Sequence, residues 1–321
     1  MWSICRNSRA RCAALLAAVA LLAGCATPQT RMLMAERPAI SRAELVDAPF
    51  FPQREYQCGP AALATVMVAA GKPVTPEELA PQVFLPQRQG SLQVEMMAAP
   101  RRHGLVSLPL APQLSDVLAE VAAGNPVIVL QNLALNWYPM WHYAVVVGYD
   151  LDRETIILRS GEERRLELPL ATFEHTWARG KHWAMLALPP HKLSQTVAPE
   201  VHVRAVVALE KAGFADAARS AYQAVLDKSP DNLTALLGAG NTAHALGDLA
   251  GSERAFRLAA ERHPDSDAAL NNLAQVLADQ GKLGEAEAVA QRALALRGPN
   301  SVVAAQTLKD IQDKSGSRLR P

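Results

Sequence analysis

One cysteine, Cys58, stands in the stretch QREYQCGPAA, with Gln53 five residues before it. The Gly-Pro that follows and the apolar run AALATVMVAAG predict that Cys58 begins a helix, where the macrodipole favours a negatively charged sulfur. A catalytic cysteine acts as the thiolate, so it needs a lowered pKa and some exposure. Gly59 would leave room for a substrate backbone, and the Gln53 amide could stabilise an oxyanion. These residues predict a nucleophile at position 58.

A cysteine nucleophile needs a general base, and His142 is the strongest candidate among the eight histidines. It opens the run WHYAVVVGYD, which predicts a buried strand that would hold the ring rigidly. His175 and His182 flank a predicted loop and are weaker candidates. His103 is expected to cap a helix. The remaining histidines are expected on the surface: His191, His202, His244 and His263.

The N-terminus combines a positive segment with the apolar run CAALLAAVALLAG and ends in LAGC, from Leu22 to Cys25. This arrangement resembles the lipobox of bacterial lipoproteins. The resemblance implies removal of a signal peptide over 1–24, a diacylglycerol on the Cys25 sulfur and stable membrane anchoring by several acyl chains. Ala26, in place of aspartate, favours the outer membrane facing the periplasm. The alternative is an ordinary signal peptide that ends near a cysteine.

The sequence has four cysteines and a formal net charge of +1. Cys5 and Cys12 would leave with the signal peptide and Cys25 would be lipidated, so Cys58 would have no partner for a disulfide. We expect a lone thiol in the oxidising periplasm to be either buried in the fold or used in a chemical reaction. The balanced charge gives no reason to expect a nucleic-acid partner. Neither a metal nor another cofactor is expected, because no cluster has the spacing of metal ligands.

The chain divides by composition. Residues 25–48 predict a polar lipidated tether, 49–190 a first domain, 191–198 a linker flanked by Pro189, Pro190 and Pro199, and 199–321 a second domain. In the first domain, helices after Cys58, after the capping box of Thr75 and Glu78, and from Ser91 precede five strands. Those strands are predicted at PVIVLQNL, HYAVVVGY, TIILRS, RLELPL and HWAMLAL. This order predicts an α+β domain with an antiparallel sheet.

The second domain repeats every 34 residues, most clearly at Gly213, Gly247 and Gly281. The period resembles that of the tetratricopeptide repeat. The resemblance implies an all-α solenoid with units at 199–232, 233–266 and 267–300, followed by the capping helix SVVAAQTLKDIQDK. Such a solenoid presents a concave surface to a protein partner. A generic helical bundle is the alternative.

The order Q-x4-C-G-P-A, P-V-I-V-L and H-Y-A-V-V-V-G-Y-D resembles the papain-like family of bacteriocin-leader, or double-glycine, cysteine peptidases. The resemblance covers about residues 49–190. It implies a papain-like fold with Cys58 as the nucleophile, His142 as the general base and Gln53 as an oxyanion donor. The family has an Asp-Pro on the next strand, where this chain has TIILRSGEE. Folding back through DLDR puts Ser160 beside His142, so Ser160, a backbone carbonyl or Glu162 could orient the imidazole.

The sequence therefore predicts a membrane-anchored cysteine peptidase of the cell envelope. It would hydrolyse peptide or protein substrates through a thioester on Cys58, while the repeats bind a protein partner or the substrate. Two alternatives remain open. The papain-like domain could be an inactive scaffold that acts through the repeats, or the thioester could pass its acyl group to an amine or thiol.

Overall fold

The computed structural model describes residues 27–53 and 57–318. The predicted signal peptide and the predicted lipidation site Cys25 lie outside those residues. In the N-terminal part, the elements in chain order are α1 (Pro28–Glu36), β1 (Arg42–Glu44), α2 (Cys58–Ala69), α3 (Pro76–Val83), β2 (Phe84–Leu85), β3 (Gly90–Ser91), α4 (Gln93–Arg102), β4 (Val106–Pro109), α5 (Leu114–Ala122), β5 (Val127–Asn132), β6 (Trp141–Asp150), β7 (Thr155–Ser160), β8 (Glu163–Pro169), α6 (Leu170–Arg179) and β9 (Ala184–Leu188).

The strands form an antiparallel sheet in the order β4-β9-β5-β6-β7-β8. Strand β1 pairs with the C-terminal end of β6. The predicted α+β class and antiparallel sheet are confirmed. Side chains alternate between the two faces of the sheet. Ala144 and Val146 pack in the core beneath α1, α5 and α6. Tyr143 and Val145 pack on the opposite side against α2, α3 and α4.

The prediction of a tether over 25–48 is wrong for its described part, because α1 and β1 are folded onto the domain. The buried Glu174 carboxylate accepts the Gln29 and Thr30 N–H groups at 3.0 and 2.7 Å, and the Thr30 hydroxyl donates to it at 2.6 Å. Strand β1 adds to the sheet beside β6. These partners lie more than a hundred residues away in the sequence, so local polarity did not reveal them.

The segment HTWARGKHW is also not the loop that the sequence predicts. His175 lies within α6, which continues to Arg179 and buries Phe173 and Trp177. His182 follows in a turn with a positive φ of 51°. The third predicted helix begins after Ser91, because that residue pairs in a short hairpin with Phe84. Helix α5 and strand β4 were not predicted.

The C-terminal part consists of helices α7 (Pro199–Lys211), α8 (Ala215–Lys228), α9 (Leu233–Ala245), α10 (Leu249–Arg262), α11 (Asp267–Asp279), α12 (Leu283–Ala295) and α13 (Ser301–Arg318). Paired helices with a capping helix confirm the predicted solenoid. Gly213, Gly247 and Gly281 each have a φ near +80 to +90° in the turn between paired helices, as the repeat pattern requires.

The linker over 191–198 is fixed to the first domain. One carboxylate oxygen of the buried Glu120 accepts the Ser194 hydroxyl, the Gln195 and Thr196 N–H groups and the Thr196 hydroxyl. His202 follows the linker and is 2% exposed, so its predicted surface position is wrong. Its helix, α7, packs into the same apolar core as β4 and α5.

Within the described residues, no helix combines the length and the apolar character that crossing a bilayer requires.

Candidate active site

Cys58 is the first residue of α2, where the sequence predicts it, and it is half-buried. Gly59, the residue that follows Cys58, lies close to Ser91. A Cβ on Gly59 would lie 2.3 Å from the Ser91 hydroxyl oxygen and 2.7 Å from the Ser91 Cβ. The close approach of Ser91 in β3 therefore constrains position 59 to glycine.

The thiol is not the acidic group that a helix N-terminus predicts. Burial raises the pKa of Cys58, and the backbone N–H groups of Tyr143, Gly59 and Cys58 itself only partly oppose that shift. Burial alone lowers the pKa of His142. Neither residue's charge contributes to the other's shift. Both shifts have burial as their main cause, and both favour the neutral forms of the thiol and the imidazole.

Strand β6 has an open edge at its start, and the site is built along that edge. Strand β7 pairs with β6 only from Val145 onward. Before that point, the Tyr143 carbonyl accepts the Gln53 side-chain amide at 3.3 Å. The Tyr143 N–H lies against the Cys58 sulfur. Gln53 and Cys58 thus contact the two backbone polar groups of the residue that follows His142.

Gln53 is held from its other side by Gly161, in the turn after β7. The Gln53 N–H donates to the Gly161 carbonyl at 2.9 Å, and the Gly161 N–H donates to the Gln53 side-chain oxygen at 3.0 Å. One amide hydrogen of Gln53 goes to Tyr143, which leaves the second for another acceptor. The three contacts fix the direction of the Gln53 amide.

The predicted proximity of His142 and Ser160 is present: His142 Nε2 and Ser160 Oγ are 2.8 Å apart. Glu162, the alternative partner, is exposed. Asp150 shapes the β6–β7 turn, since its carboxylate accepts the N–H groups of Asp152 and Arg153 at 3.1 Å. Because Ser160 occupies Nε2, the nitrogen of His142 that remains for a thiol is Nδ1.

Arg159 is a contributor that the sequence analysis missed. It is 3% exposed, and its guanidinium donates to the carbonyls of Leu45, Val46 and Ala48 at 3.1 to 3.4 Å. These bonds fasten the segment that leads to Gln53 onto β7. No local sequence pattern indicates this role, because these acceptors are backbone groups over a hundred residues away.

Comparisons with known proteins agree with this division of the chain. Residues 45–185 match the model of the Peptidase_C39 like family, and residues 203–267 and 245–301 match that of the tetratricopeptide repeat. No curated protein matches the chain. The chain therefore carries a Peptidase_C39-like domain followed by tetratricopeptide repeats.

Solved structures similar to the chain include a C39-like peptidase and tetratricopeptide-repeat domains. A C39-like peptidase from Bacillus anthracis is 18% identical, with a TM-score of 0.40, and covers 49% of this chain and 100% of its own. The first repeat domain of Spaghetti (RPAP3) bound to an HSP90 peptide is 23% identical, with a TM-score of 0.35, and covers 37% and 95%. The Sgt2 repeat domain from Aspergillus fumigatus is 17% identical, with a TM-score of 0.37, and covers 38% and 82%.

Proposed function

We propose, from the Peptidase_C39-like domain and the residues gathered around Tyr143, that the protein is a cysteine peptidase of the cell envelope. The observation that carries this proposal is the placement of Gln53 and Cys58 on the backbone of Tyr143, next to a histidine that Ser160 orients. A nucleophile, a base and an oxyanion donor are the three parts that acyl transfer by a thiol needs.

In this proposal the Cys58 sulfur attacks a peptide carbonyl carbon and His142 Nδ1 takes the thiol proton. The carbonyl oxygen gains negative charge, which the Cys58 N–H and the second amide hydrogen of Gln53 stabilise. The C–N bond then breaks, and the protonated imidazole gives its proton to the leaving amine. A water molecule, deprotonated by His142, attacks the thioester and releases the acid and the free thiol. Ser160 keeps the ring in position throughout.

A neutral starting pair suits general-base catalysis, since burial favours a neutral imidazole that can accept a proton near pH 7. Binding of a peptide in the site would bring His142 Nδ1 to the Cys58 thiol. Catalytic hydrogen bonds of this kind often shorten only in the substrate complex.

A second candidate is a scaffold in which this domain has lost catalysis. The raised pKa of Cys58 and the serine in place of the expected aspartate favour it. The two candidates differ in one measurement: hydrolysis of a fluorogenic peptide library by the mature chain. The peptidase proposal expects turnover that Cys58→Ala abolishes and His142→Ala lowers at least a thousandfold. Turnover unaffected by Cys58→Ala would remove the thiol from the mechanism.

The same proposal includes a partner on the repeats. Residues of α9, α11 and α13 line a cavity of about 490 Å³, among them Asn241, His244, Asn272, Gln275 and Asp279. Side-chain amides offer both donors and acceptors, which suits the backbone of an extended peptide. Binding of a peptide array to the wild type should therefore be lost with Asn241→Ala and Asn272→Ala combined. Retained binding would place the partner elsewhere.

We also propose that Cys25 carries the lipid that anchors the chain to the outer membrane. The support is the LAGC motif, which ends two residues before the described fold begins. Cys25→Ser should move the protein from the membrane fraction to the soluble fraction of cells. Unchanged fractionation would contradict the lipid anchor without bearing on the peptidase site.

A further inference from the structure

The connection between β5 and β6 exposes apolar side chains that no other part of the described chain covers. Residues 133–141, here called the apolar hairpin, have the sequence LALNWYPMW and contain no charged residue. Trp137 and Tyr138 at its tip are 81% and 71% exposed. More than half of the Leu135, Met140 and Trp141 side chains is also exposed. Exposed apolar surface on this scale marks an interaction site.

The exposure is built into the fold. The buried Asn132 accepts the N–H groups of Ala134 and Met140 at 3.1 and 2.9 Å through its side-chain oxygen. The Leu133 N–H donates to the Met140 carbonyl at 2.9 Å, and the Tyr138 N–H donates to the Leu135 carbonyl at 3.1 Å. The hairpin is therefore a defined projection from the sheet.

The distribution of apolar side chains indicates whether the apolar hairpin binds a protein surface or inserts into an apolar phase. Successive residues of an extended chain point to opposite faces. Met140 and Trp141 are consecutive and both exposed, whereas the rings of Trp137 and Tyr138 lie together at the turn, with their centroids 6.3 Å apart. An aromatic pair at the tip with further apolar side chains on more than one side of its base suits insertion into an apolar phase, whereas docking on a protein would need only one face. Trp and Tyr are the side chains that favour the membrane–water interface.

The described chain begins at the same end of the sheet as the apolar hairpin. The Leu130 N–H, near the end of β5, donates to the Trp183 carbonyl just before β9. Strand β4 is antiparallel to β9, so it ends here too, and α5 follows with Leu114 as its first residue. The Gln29 side-chain oxygen accepts the Leu114 N–H at 2.5 Å. The start of α1 is thereby placed at this end.

Helix α1 then runs away from the hairpin to the opposite end, where Arg37 pairs with Asp152 in the β6–β7 turn at 3.3 Å. Cys25 stands two residues before Thr27, the first described residue. Two residues of extended chain span about 7 Å at most. A lipid on Cys25 would therefore hold a bilayer close to the end of the domain that carries the apolar hairpin.

We propose that the apolar hairpin inserts into the surface of a phospholipid bilayer and gives the domain a fixed orientation on it. The proposal deepens the proposed anchoring, since the lipid on Cys25 supplies the bilayer. Exposed Lys181 and the Arg179 guanidinium, which donates to the Asn132 carbonyl at 3.1 Å, lie at the base of the hairpin. Cations at that position attract anionic headgroups. Because His142 directly follows the hairpin, the candidate active site opens beside the bilayer.

The test uses the mature chain from residue 25 with Cys25→Ser, which holds every described residue and has no lipid. Its binding to vesicles of phosphatidylethanolamine and phosphatidylglycerol is measured by sedimentation and by tryptophan fluorescence. We expect binding with a blue shift, and at least tenfold weaker partitioning for Trp137→Ser combined with Tyr138→Ser. The matched control is Val302→Ser with Val303→Ser, which removes two exposed apolar side chains from α13 and should leave binding unchanged.

Two results would overturn the proposal. One is the absence of vesicle binding by the protein with an intact hairpin. The other is equal vesicle binding by the two double variants; slower peptide hydrolysis by the hairpin variant without vesicles would then make the hairpin a peptide-binding element. Neither result depends on acylation, so failure of this proposal is distinct from failure of the lipid anchor, which cell fractionation measures.

Discussion

The Nε2 atom of His142 and the hydroxyl oxygen of Ser160 lie 2.8 Å apart, across the hairpin that β6 and β7 form. This serine stands where the peptidase family resembled by the sequence has an aspartate. A hydroxyl can fix the ring and its tautomer, but it brings no negative charge to stabilise an imidazolium. The pairing therefore orients His142 while leaving it a weak base.

Ser160→Ala should lower kcat for peptide hydrolysis about tenfold or more and leave KM nearly unchanged. The variant loses the orienting hydrogen bond, while the groups proposed to hold the substrate carbonyl remain. Ser160→Thr keeps the hydroxyl and should retain most of the activity. Steady-state kinetics with the same peptide measures all three proteins.

Ser115→Ala is the matched control, because Ser115 is an exposed serine on α5. Equal kcat values for Ser160→Ala and the wild type would show that another group, such as a backbone carbonyl, orients His142.

Gly59→Ala should destabilise the fold by about 1–3 kcal/mol, because the new Cβ would meet Ser91 at 2.3 Å. Ser91→Gly removes the obstructing atoms, so the double variant should recover part of the loss. Urea unfolding of the two single variants and the double variant measures the coupling. Simple additivity of the two changes would contradict a direct clash.

Local patterns were sufficient for much of the site. The apolar run after Cys58 predicts α2, and the short DLDR turn predicts the β6–β7 pairing that, with a register shift between Val146 and Gly148, brings Ser160 to His142. Both predictions depend on residues that are near each other in the sequence. The repeat glycines likewise report a local requirement, the positive φ of the turn between two helices.

Features that depend on distant contacts could not be predicted. Helix α1 is ordered by Glu174, and Gly59 is dictated by Ser91, each through contacts that no local pattern records. The pKa of Cys58 differs from the expected low value because of distant contacts as well. A helix N-terminus favours the thiolate, but burial against other segments outweighs it.

Glu120→Ala should loosen the repeats from the first domain. Removing the carboxylate leaves the buried Ser194 hydroxyl and the Gln195 N–H without their acceptor, and leaves the Thr196 N–H with only the Ser194 hydroxyl oxygen. Unsatisfied buried donors cost about 1–3 kcal/mol each. Proteolysis within 191–198 should become at least tenfold faster, while Glu120→Gln, which keeps an acceptor oxygen, should be affected less. Unchanged cleavage by Glu120→Ala would show that the apolar core alone holds the two parts together.

The buried His202 should make the protein sensitive to acid. Burial lowers its pKa to about 4, and the Glu120 carboxylate opposes that shift. Below the ordinary histidine pKa of about 6.5, the unfolded chain binds a proton that the folded chain excludes. The free energy of unfolding should therefore fall as pH decreases from about 6.5 to 4, by about 3 kcal/mol from this group.

Urea unfolding at pH 7 and pH 4.5 measures this effect in the wild type and in His202→Leu. The variant should lose less stability between the two values. His191→Leu, at an exposed position, serves as the control. An identical loss in the wild type and in His202→Leu would contradict the assignment to His202.

The most direct test of the account is the pH dependence of Cys58 alkylation in the mature chain with Cys25→Ser, where Cys58 is the single thiol. Burial places the pKa of Cys58 above and that of His142 below its ordinary value. If proton transfer lets the thiolate and the imidazolium stabilise each other, a small ion-pair population persists at pH values where an isolated buried thiol is protonated, and the alkylation rate has a plateau below its alkaline rise. His142→Ala should remove the plateau and leave only the rise at alkaline pH. Identical profiles in both proteins would contradict the account, because His142 would then have no access to the proton of Cys58.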